Sequence, residues 1–543
     1  MLAPALSYAA EIDRSSGPQA RRRSSEPLLW RRDEKDVVPR KSRRAPTALL
    51  PTNVSTVHDR AYYCPSPSSG RPAGAFDDLS SFSPFIPLDS PNPAFNLSLS
   101  YSHSRCNTFR LRIARQDRSA CRALLPDLHE DKGTTDFVQH SLGPDTFQLQ
   151  TDGAERLVVD DPTRFDPESC SYEFDVALAN AGAVWLQVTH FYEDYNTYIS
   201  APSRTLPRLI TPLLPAPLHL SICDDCTPYV PPVLTTQPST FPASPPLPSL
   251  PACTGPEPIR GVYVPSALPS LLYPPYQLPM TPKRPSAGFH TFVPTGCSFQ
   301  HDGLRFRDHQ SCFRRPHRAL FLGDSHARGM FDVLAHRLKG NDEMALSSFK
   351  VTNKISDIQN LHLEFMWDAY LVSNIFCAYM HAFDTVVLST GSHQACYNCP
   401  PTSEYLAHMQ RIFREWPLKL TQCREQARTG ALLRAEDDGA LAARAREKPP
   451  TRFIFATSPA WYPKKAEQYD CRTAQRLGRW NDLVTAAALR EGWAVVDAGA
   501  VTRPMQQDTR AMDGVHYIRT DAIDPIVDEV VEKMGICGNS SER

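Results

Sequence analysis

The sequence predicts an α/β domain preceded by an antiparallel β-rich domain, and three observations carry the prediction. Residues of about 94–200 alternate apolar and polar side chains with period two between turn residues. From about 291 to 537, short apolar runs alternate with amphipathic helical segments, the pattern of a largely parallel sheet with helices on both faces. Between them, over about 201–290, proline pairs such as Pro231-Pro232, Pro245-Pro246 and Pro274-Pro275 recur. Proline supplies neither ladder nor helix donors, so this stretch is expected to be an extended linker or a wrapping arm.

Composition narrows the class. The 543 residues include 51 prolines against 24 glycines, about twice the usual proline share, so fewer residues are expected to fold than the length suggests. A net charge of −1 supplies no global field that would recruit nucleic acid or an anionic membrane. No apolar run reaches the roughly 18 residues of a spanning helix. Fifteen cysteines, scattered from Cys64 to Cys537, read as a disulfide framework and hence an oxidising compartment, and the odd count leaves at least one outside any set of intrachain pairs. Sequons at Asn53, Asn96 and Asn539 are compatible with the secretory route. The first ten residues lack a basic region and make a poor secretory signal, so a signal or membrane anchor upstream of this amino terminus is expected. The alternative is a cytosolic protein with many reduced thiols.

In chain order, residues 1–93 are rich in Ser, Pro and Arg, with basic clusters at Arg21-Arg22-Arg23 and around 40–44, and are expected to be a disordered tail. Phe95-Asn96-Leu97-Ser98-Leu99-Ser100-Tyr101 and Phe109-Arg110-Leu111-Arg112-Ile113 read as strands. The run from Ser171 to Leu178, the turn Asn180-Ala181-Gly182 and the run from Ala183 to Phe191 read as a hairpin. An immunoglobulin-like β-sandwich is the economical fold for 94–200, with Cys106, Cys121 and Cys170 as candidates for bridges inside it. Cys223 and Cys226 are spaced as Cys-x-x-Cys without a second pair, which makes a poor metal site. Farther on, Ala319-Leu320-Phe321-Leu322 reads as a buried strand. The following helix, 326–339, puts Met330, Phe331, Leu334 and Leu338 on one face. Strands are expected at 361–366, 385–388, 453–456 and 494–496, helices at 402–413, 473–490 and 522–534, and a helical excursion or mobile insert at 425–449.

The chemistry is concentrated where the strand 319–322 runs into Gly323-Asp324-Ser325-His326 and then into a helix. The carboxyl end of such a strand holds ligands, and a helix start offers N–H groups and a positive dipole end to an oxyanion. Gly323 permits the turn. As an alternative, Asp324 or Ser325 serves only as a helix N-cap. A serine nucleophile needs a base that is itself oriented by a third group. Met512-Asp513-Gly514-Val515-His516-Tyr517, after the last strand, offers a carboxylate and an imidazole three residues apart, with His516 nearer the serine and Asp513 behind it.

Together these two blocks resemble the first and last blocks of the SGNH (GDSL-like) superfamily, specifically its PC-esterase branch. That branch includes fungal capsule O-acetylation proteins, plant trichome-birefringence-like wall-polysaccharide acetyltransferases, and animal proteins with a neurexophilin-like domain before the esterase-like domain. The resemblance covers about 291–537 and, more loosely, 94–200. Cys297, Cys312, the run Glu364-Phe365-Met366-Trp367 and Cys537 are also similar to that branch. It implies a flavodoxin-like SGNH domain with a parallel sheet. It also implies Ser325 as nucleophile and oxyanion donor, His516 as base and Asp513 as its orienter. Thr390-Gly391-Ser392-His393 resembles the branch's middle block, which makes Gly391 a candidate second oxyanion donor and His393 polar lining of the site or a structural histidine. The Asn of the superfamily's third block has no clear match, so a third oxyanion donor is not assigned. Cys396 and Cys399 are expected to bridge to other cysteines, and neither a metal nor another cofactor is called for.

The resulting expectation is acyl transfer through an acyl-enzyme, with an acetyl donor and a glycan hydroxyl as acceptor, in the Golgi lumen, outside the cell or in its wall. Nucleic acid is not an expected partner, and membrane contact is expected only through the missing anchor. Hydrolysis by water, giving a carbohydrate acetylesterase, and a non-catalytic glycan-binding role are the alternatives.

Overall fold

A computed structural model describes residues 82–103, 105, 107–122, 130–179, 182–193, 195, 210–222, 251–265, 290–294, 297, 299, 316–339, 354–358, 360–372, 379–428, 450–462, 471–508, 514–518 and 520–536. Calls on the tail 1–81, on Cys106, Cys223, Cys226, Cys312, Cys537, Asn53, Asn539 and Asp513, and on the insert from 429 to 449 lie outside these residues.

The amino-terminal strands are β1 (Ile86–Leu88), β2 (Phe95–Tyr101), β3 (Thr108–Arg115), β4 (Thr146–Gly153), β5 (Leu157–Val159), β6 (Arg164–Asp166), β7 (Ser171–Ala177), β8 (Gly182–Tyr192), β9 (Thr211–Pro212) and β10 (Leu218–Ile222). They form two antiparallel sheets, ordered β1-β2-β3-β7-β6 and β10-β8-β4-β5, with β9 beside β8. Leu97, Leu99, Leu111 and Phe174 from the first sheet meet Leu149, Val184, Leu186 and Leu220 from the second in one shared core. The alternation of period two therefore points one face of each sheet inward. Cys121 and Cys170 form a disulfide beside this core.

Two expectations are corrected here. The runs 171–178 and 183–191 are strands, but they do not pair as a hairpin: β7 pairs with β3 and β6, whereas β8 pairs with β4 and β10. Phe174 and Val176 fill the core from one sheet and Val184 and Val188 from the other, so the chain crosses between sheets after Leu178. Leu178 is held there by Asn107, whose carbonyl accepts its N–H at 3.0 Å and whose side-chain amide donates to its carbonyl at 2.6 Å. The second correction concerns boundaries. Strand β1 lies inside the stretch assigned to the tail, and β9, β10 and residues 251–265 lie inside the stretch assigned to the linker. Proline tolerates these places because the strands are short or lie at sheet edges.

Part of that stretch is a wrapping arm. Strands β11 (Gly261–Pro265) and β12 (His290–Pro294) pair with each other. The Pro256 carbonyl accepts the Val495 N–H at 2.8 Å, Lys533 Nζ donates to the carbonyls of Gly255 and Glu257, and Cys253 is bridged to Cys297.

The carboxyl-terminal sheet comprises β13 (His317–Gly323), β14 (Lys354–Ile358), β15 (Leu361–Trp367), β16 (Thr385–Ser389), β17 (Arg452–Ala456) and β18 (Ala494–Val496), in the order β14-β15-β13-β16-β17-β18. All neighbours run parallel except the edge strand β14. Phe321, Val387 and Ile454 face the helices Ser325–Lys339 and Ile523–Met534 on one side. Leu320, Leu322, Val386 and Phe455 face Thr402–Arg428 and Ala474–Arg490 on the other. Burial on both faces is why these strands read as continuous apolar runs. Helix Thr402–Arg428 continues past the expected end at 413 and through Pro417, because Trp416, Leu420 and Cys423 extend its buried stripe.

All described residues belong to one unit, 54–543. Phe191 and Tyr192, at the end of β8, are buried in the core of the carboxyl-terminal sheet. Glu130 accepts from Arg476 Nη2 at 2.6 Å and from the Thr402 N–H at 2.7 Å.

Candidate active site

Strand β13 ends at Gly323, whose φ of 141° is open only to glycine and whose absent Cβ leaves room for the Ser389 carbonyl on β16. The chain then turns into the helix Ser325–Lys339. Asp324 is fully buried and caps that helix: its Oδ1 accepts the His326 N–H at 2.9 Å. Its Oδ2 is buried without a hydrogen-bond partner. Burial raises the Asp324 carboxyl above its ordinary range, opposed by His393, the His326 N–H and His516. The N-cap reading therefore describes Asp324 and leaves Ser325, the first residue of the helix, partly exposed.

His516 lies on the segment between β18 and the last helix. Its Nε2 is 2.8 Å from Ser325 Oγ. Two contacts fix this segment. The Gly514 carbonyl accepts the Tyr462 N–H at 3.0 Å, and the Tyr517 hydroxyl donates to the Ala460 carbonyl at 2.6 Å. Tyr462 in turn meets Phe191 of β8 edge-on, with ring centroids 5.7 Å apart.

Beyond β16, the structure qualifies one expectation. Gly391 has φ 121°, as a glycine-dependent turn requires, but its N–H donates to Gln394 Oε1 at 3.0 Å. Gln394 also bonds the Thr390 hydroxyl, so the Gly391 donor is held inside the turn and would have to exchange partners to reach an oxyanion. His393 is half-buried between the rings of Trp367, Tyr370 and Tyr397. Burial lowers its imidazole below the ordinary range; Asp324 opposes this, and Arg472 and His516 add to it. The structure thus brings Ser325 and His516 into hydrogen-bond contact, puts His393 within electrostatic reach of His516, and keeps the Gly391 donor within its own turn.

Several residues of this region carried no role in the sequence reading. His326 Nε2 is 3.1 Å from Ser392 Oγ, which is 2.5 Å from Ser458 Oγ, and the His326 ring lies 5.6 Å from that of His516. The only sequence signal for His326 was its place beside Ser325. Arg328 lies over the Trp367 ring and Arg472 over the Trp461 ring. Cys399 is bridged to Cys471, next to Arg472, as expected for a cysteine with a distant partner, and Cys396 is buried.

No protein-family model matches the sequence, and no curated protein matches it. Among solved structures, the chain is similar to a point mutant of an acetyl-xylooligosaccharide esterase from Geobacillus, with 12% identity over 41% of this chain and 95% of that one and a TM-score of 0.22. It is also similar to a gut microbial diltiazem-metabolizing enzyme, with 14% identity over 41% of this chain and 48% of that one and a TM-score of 0.21. Scores this low define neither fold nor chemistry.

Proposed function

We propose that this chain is a serine-dependent acyltransferase of the SGNH type, PC-esterase branch, in which an immunoglobulin-like β-domain precedes a flavodoxin-like catalytic domain. The single observation that carries the reading is the 2.8 Å approach of His516 Nε2 to Ser325 Oγ at the carboxyl end of a central parallel strand. His516 takes the Ser325 proton as Oγ attacks the acyl carbonyl, and Asp513 steadies the imidazolium. The Ser325 N–H, at the positive end of its helix, stabilises the oxyanion. The tetrahedral intermediate collapses with the leaving oxygen taking the proton from His516, and the acyl group stays on Ser325. An acceptor hydroxyl then gives its proton to His516 as its oxygen attacks the acyl-enzyme carbonyl, and the Ser325–acyl bond breaks as Ser325 Oγ takes that proton back from His516, releasing the new ester. The resemblance of the two blocks suggests acetyl as the acyl group and a glycan as the acceptor, and the bridged cysteines suit a secretory or extracellular location.

The test is mass-spectrometric trapping of an acetyl group on purified protein given an activated acetyl ester, with and without a glycan acceptor, for wild type and Ser325→Ala. Acetyl at Ser325 that discharges faster to glycan than to water supports transfer. Discharge to water alone selects the esterase. Folded protein that takes up no acetyl leaves the glycan-binding role.

A further inference from the structure

At the carboxyl end of β13, two neighbouring strands deliver aromatic rings that meet. Trp367 closes β15, directly beside Gly323 in the sheet register, and His393 follows β16. Their ring centroids are 5.3 Å apart at 85°. Tyr370 joins the group edge-on at 6.2 Å from His393, and Tyr397 lies against His393 at 5.3 Å and 44°. The group adjoins Ser325, because Trp367 and Ser389 both lie opposite Gly323 in the sheet register, two residues before Ser325.

Tyr397 is the unusual member. It is 64% exposed, one of four large hydrophobic side chains that are open to solvent among the described residues. An aromatic ring left this open contributes little burial to the fold. Yet it is held firmly. It sits on the single π-turn Gln394–Asn398, closed by Cys399 in the left-handed region, and Cys399 is anchored by its bridge to Cys471. With the backbone beneath the ring fixed before binding, less freedom is lost when a ligand covers it.

We propose that Tyr397, with His393 and Trp367, forms a stacking subsite for a pyranose ring next to Ser325. A pyranose has apolar C–H faces and a hydroxyl rim, and it suits flat rings whose polar atoms lie at the edges: the Tyr397 and Tyr370 hydroxyls and the His393 nitrogens. Burial lowers the His393 imidazole below its ordinary range, and the Arg328 guanidinium lies over the Trp367 ring. The subsite names the substrate class of the acyl-transfer site, and to that extent rests on the serine reading.

Two measurements keep the subsite and the serine chemistry apart. The first is calorimetric titration of Ser325→Ala protein with a neutral xylotriose or cellotriose probe, with and without the added substitution Tyr397→Ala. Binding in Ser325→Ala that weakens about tenfold with Tyr397→Ala and returns with Tyr397→Phe supports the subsite whether or not Ser325 is a nucleophile. No binding of either trisaccharide at millimolar concentration, or binding indifferent to Tyr397, overturns it. The second is the ratio of kcat/KM for an O-acetylated trisaccharide to that for 4-nitrophenyl acetate. Tyr397→Ala is expected to lower this ratio about tenfold through KM. An unchanged ratio overturns the sugar assignment. Loss of all turnover in Ser325→Ala is the separate readout for the nucleophile.

Discussion

His516 Nε2 and Ser325 Oγ are 2.8 Å apart although 191 positions separate them in the chain. Their contact depends on three things at once: the turn at Gly323, the helix capped by Asp324, and the Tyr462–Gly514 and Tyr517–Ala460 hydrogen bonds that place the histidine segment.

Removing either partner should therefore stop turnover without unfolding the protein. Ser325→Ala and His516→Ala are each expected to lower kcat by about 10³-fold or more, and the double variant by little beyond the worse single one, because the two act as a unit. Steady-state rates on an activated acetyl ester, with circular dichroism as the folding control, check this. Additive losses would sink it.

The β-domain should matter to catalysis through Phe191. Its ring packs edge-on against Tyr462, whose N–H holds Gly514, two residues before His516. Phe191→Ala is expected to cost about 3 kcal/mol in stability and to lower acylation of Ser325 several-fold at temperatures where the variant remains folded. Phe191→Tyr or Phe191→Leu should recover most of the rate. Acylation that is normal in folded Phe191→Ala protein would show that the histidine segment stands without this support.

Bridge Cys399–Cys471 closes a sequence separation of 72 and fixes both ends of the region around Tyr397 and Arg472. Replacing both cysteines by serine is expected to cost about 2–4 kcal/mol in denaturant titration. The same variant should raise KM for a glycan ester more than it lowers kcat.

A half-buried acidic group, Asp161, whose Oδ1 is buried without a hydrogen-bond partner, sets a pH dependence. Burial pushes the Asp161 carboxyl up to about 6, with Asp160 adding to the shift and Arg503 opposing it. The folded carboxyl keeps its proton to higher pH than the unfolded one. Its contribution is therefore complete below about pH 4 and is lost as pH rises through about 6. Asp161→Asn should raise stability at pH 7.5 by about 1–3 kcal/mol and make no difference near pH 4. Thermal melts across that range decide it, and a gain of equal size at both ends would refute the assignment.

Local patterns made much of this protein legible. The four-residue apolar run before Gly323, the stripe Met330, Phe331, Leu334 and Leu338, and the runs at 385–388 and 453–456 each meet their own neighbours at a fixed period, so their type follows from adjacent residues. The motif from Gly323 to His326 and the histidine at 516 were visible for the same reason: glycine, a cap residue, serine and imidazole each have a chemistry that spacing alone exposes.

What spacing could not decide is which distant groups share a place. A short turn and two alternating runs read as a hairpin, yet β7 and β8 lie in opposite sheets because both are needed to fill one core. The proline-rich stretch read as an extended linker or a wrapping arm, and only the fold separates the two: residues 255–257 give their carbonyls to Val495 and Lys533. Gly391 read as an open donor, yet Gln394 occupies it. The aromatic group of Trp367, Tyr370, His393 and Tyr397 exists only because parallel strands bring their carboxyl ends together. Sequence periodicity determined which residues form strands and helices, and motif spacing singled out the candidate site residues. Packing, which satisfies buried apolar surface and hydrogen-bonding groups across the whole chain, decided which of them meet.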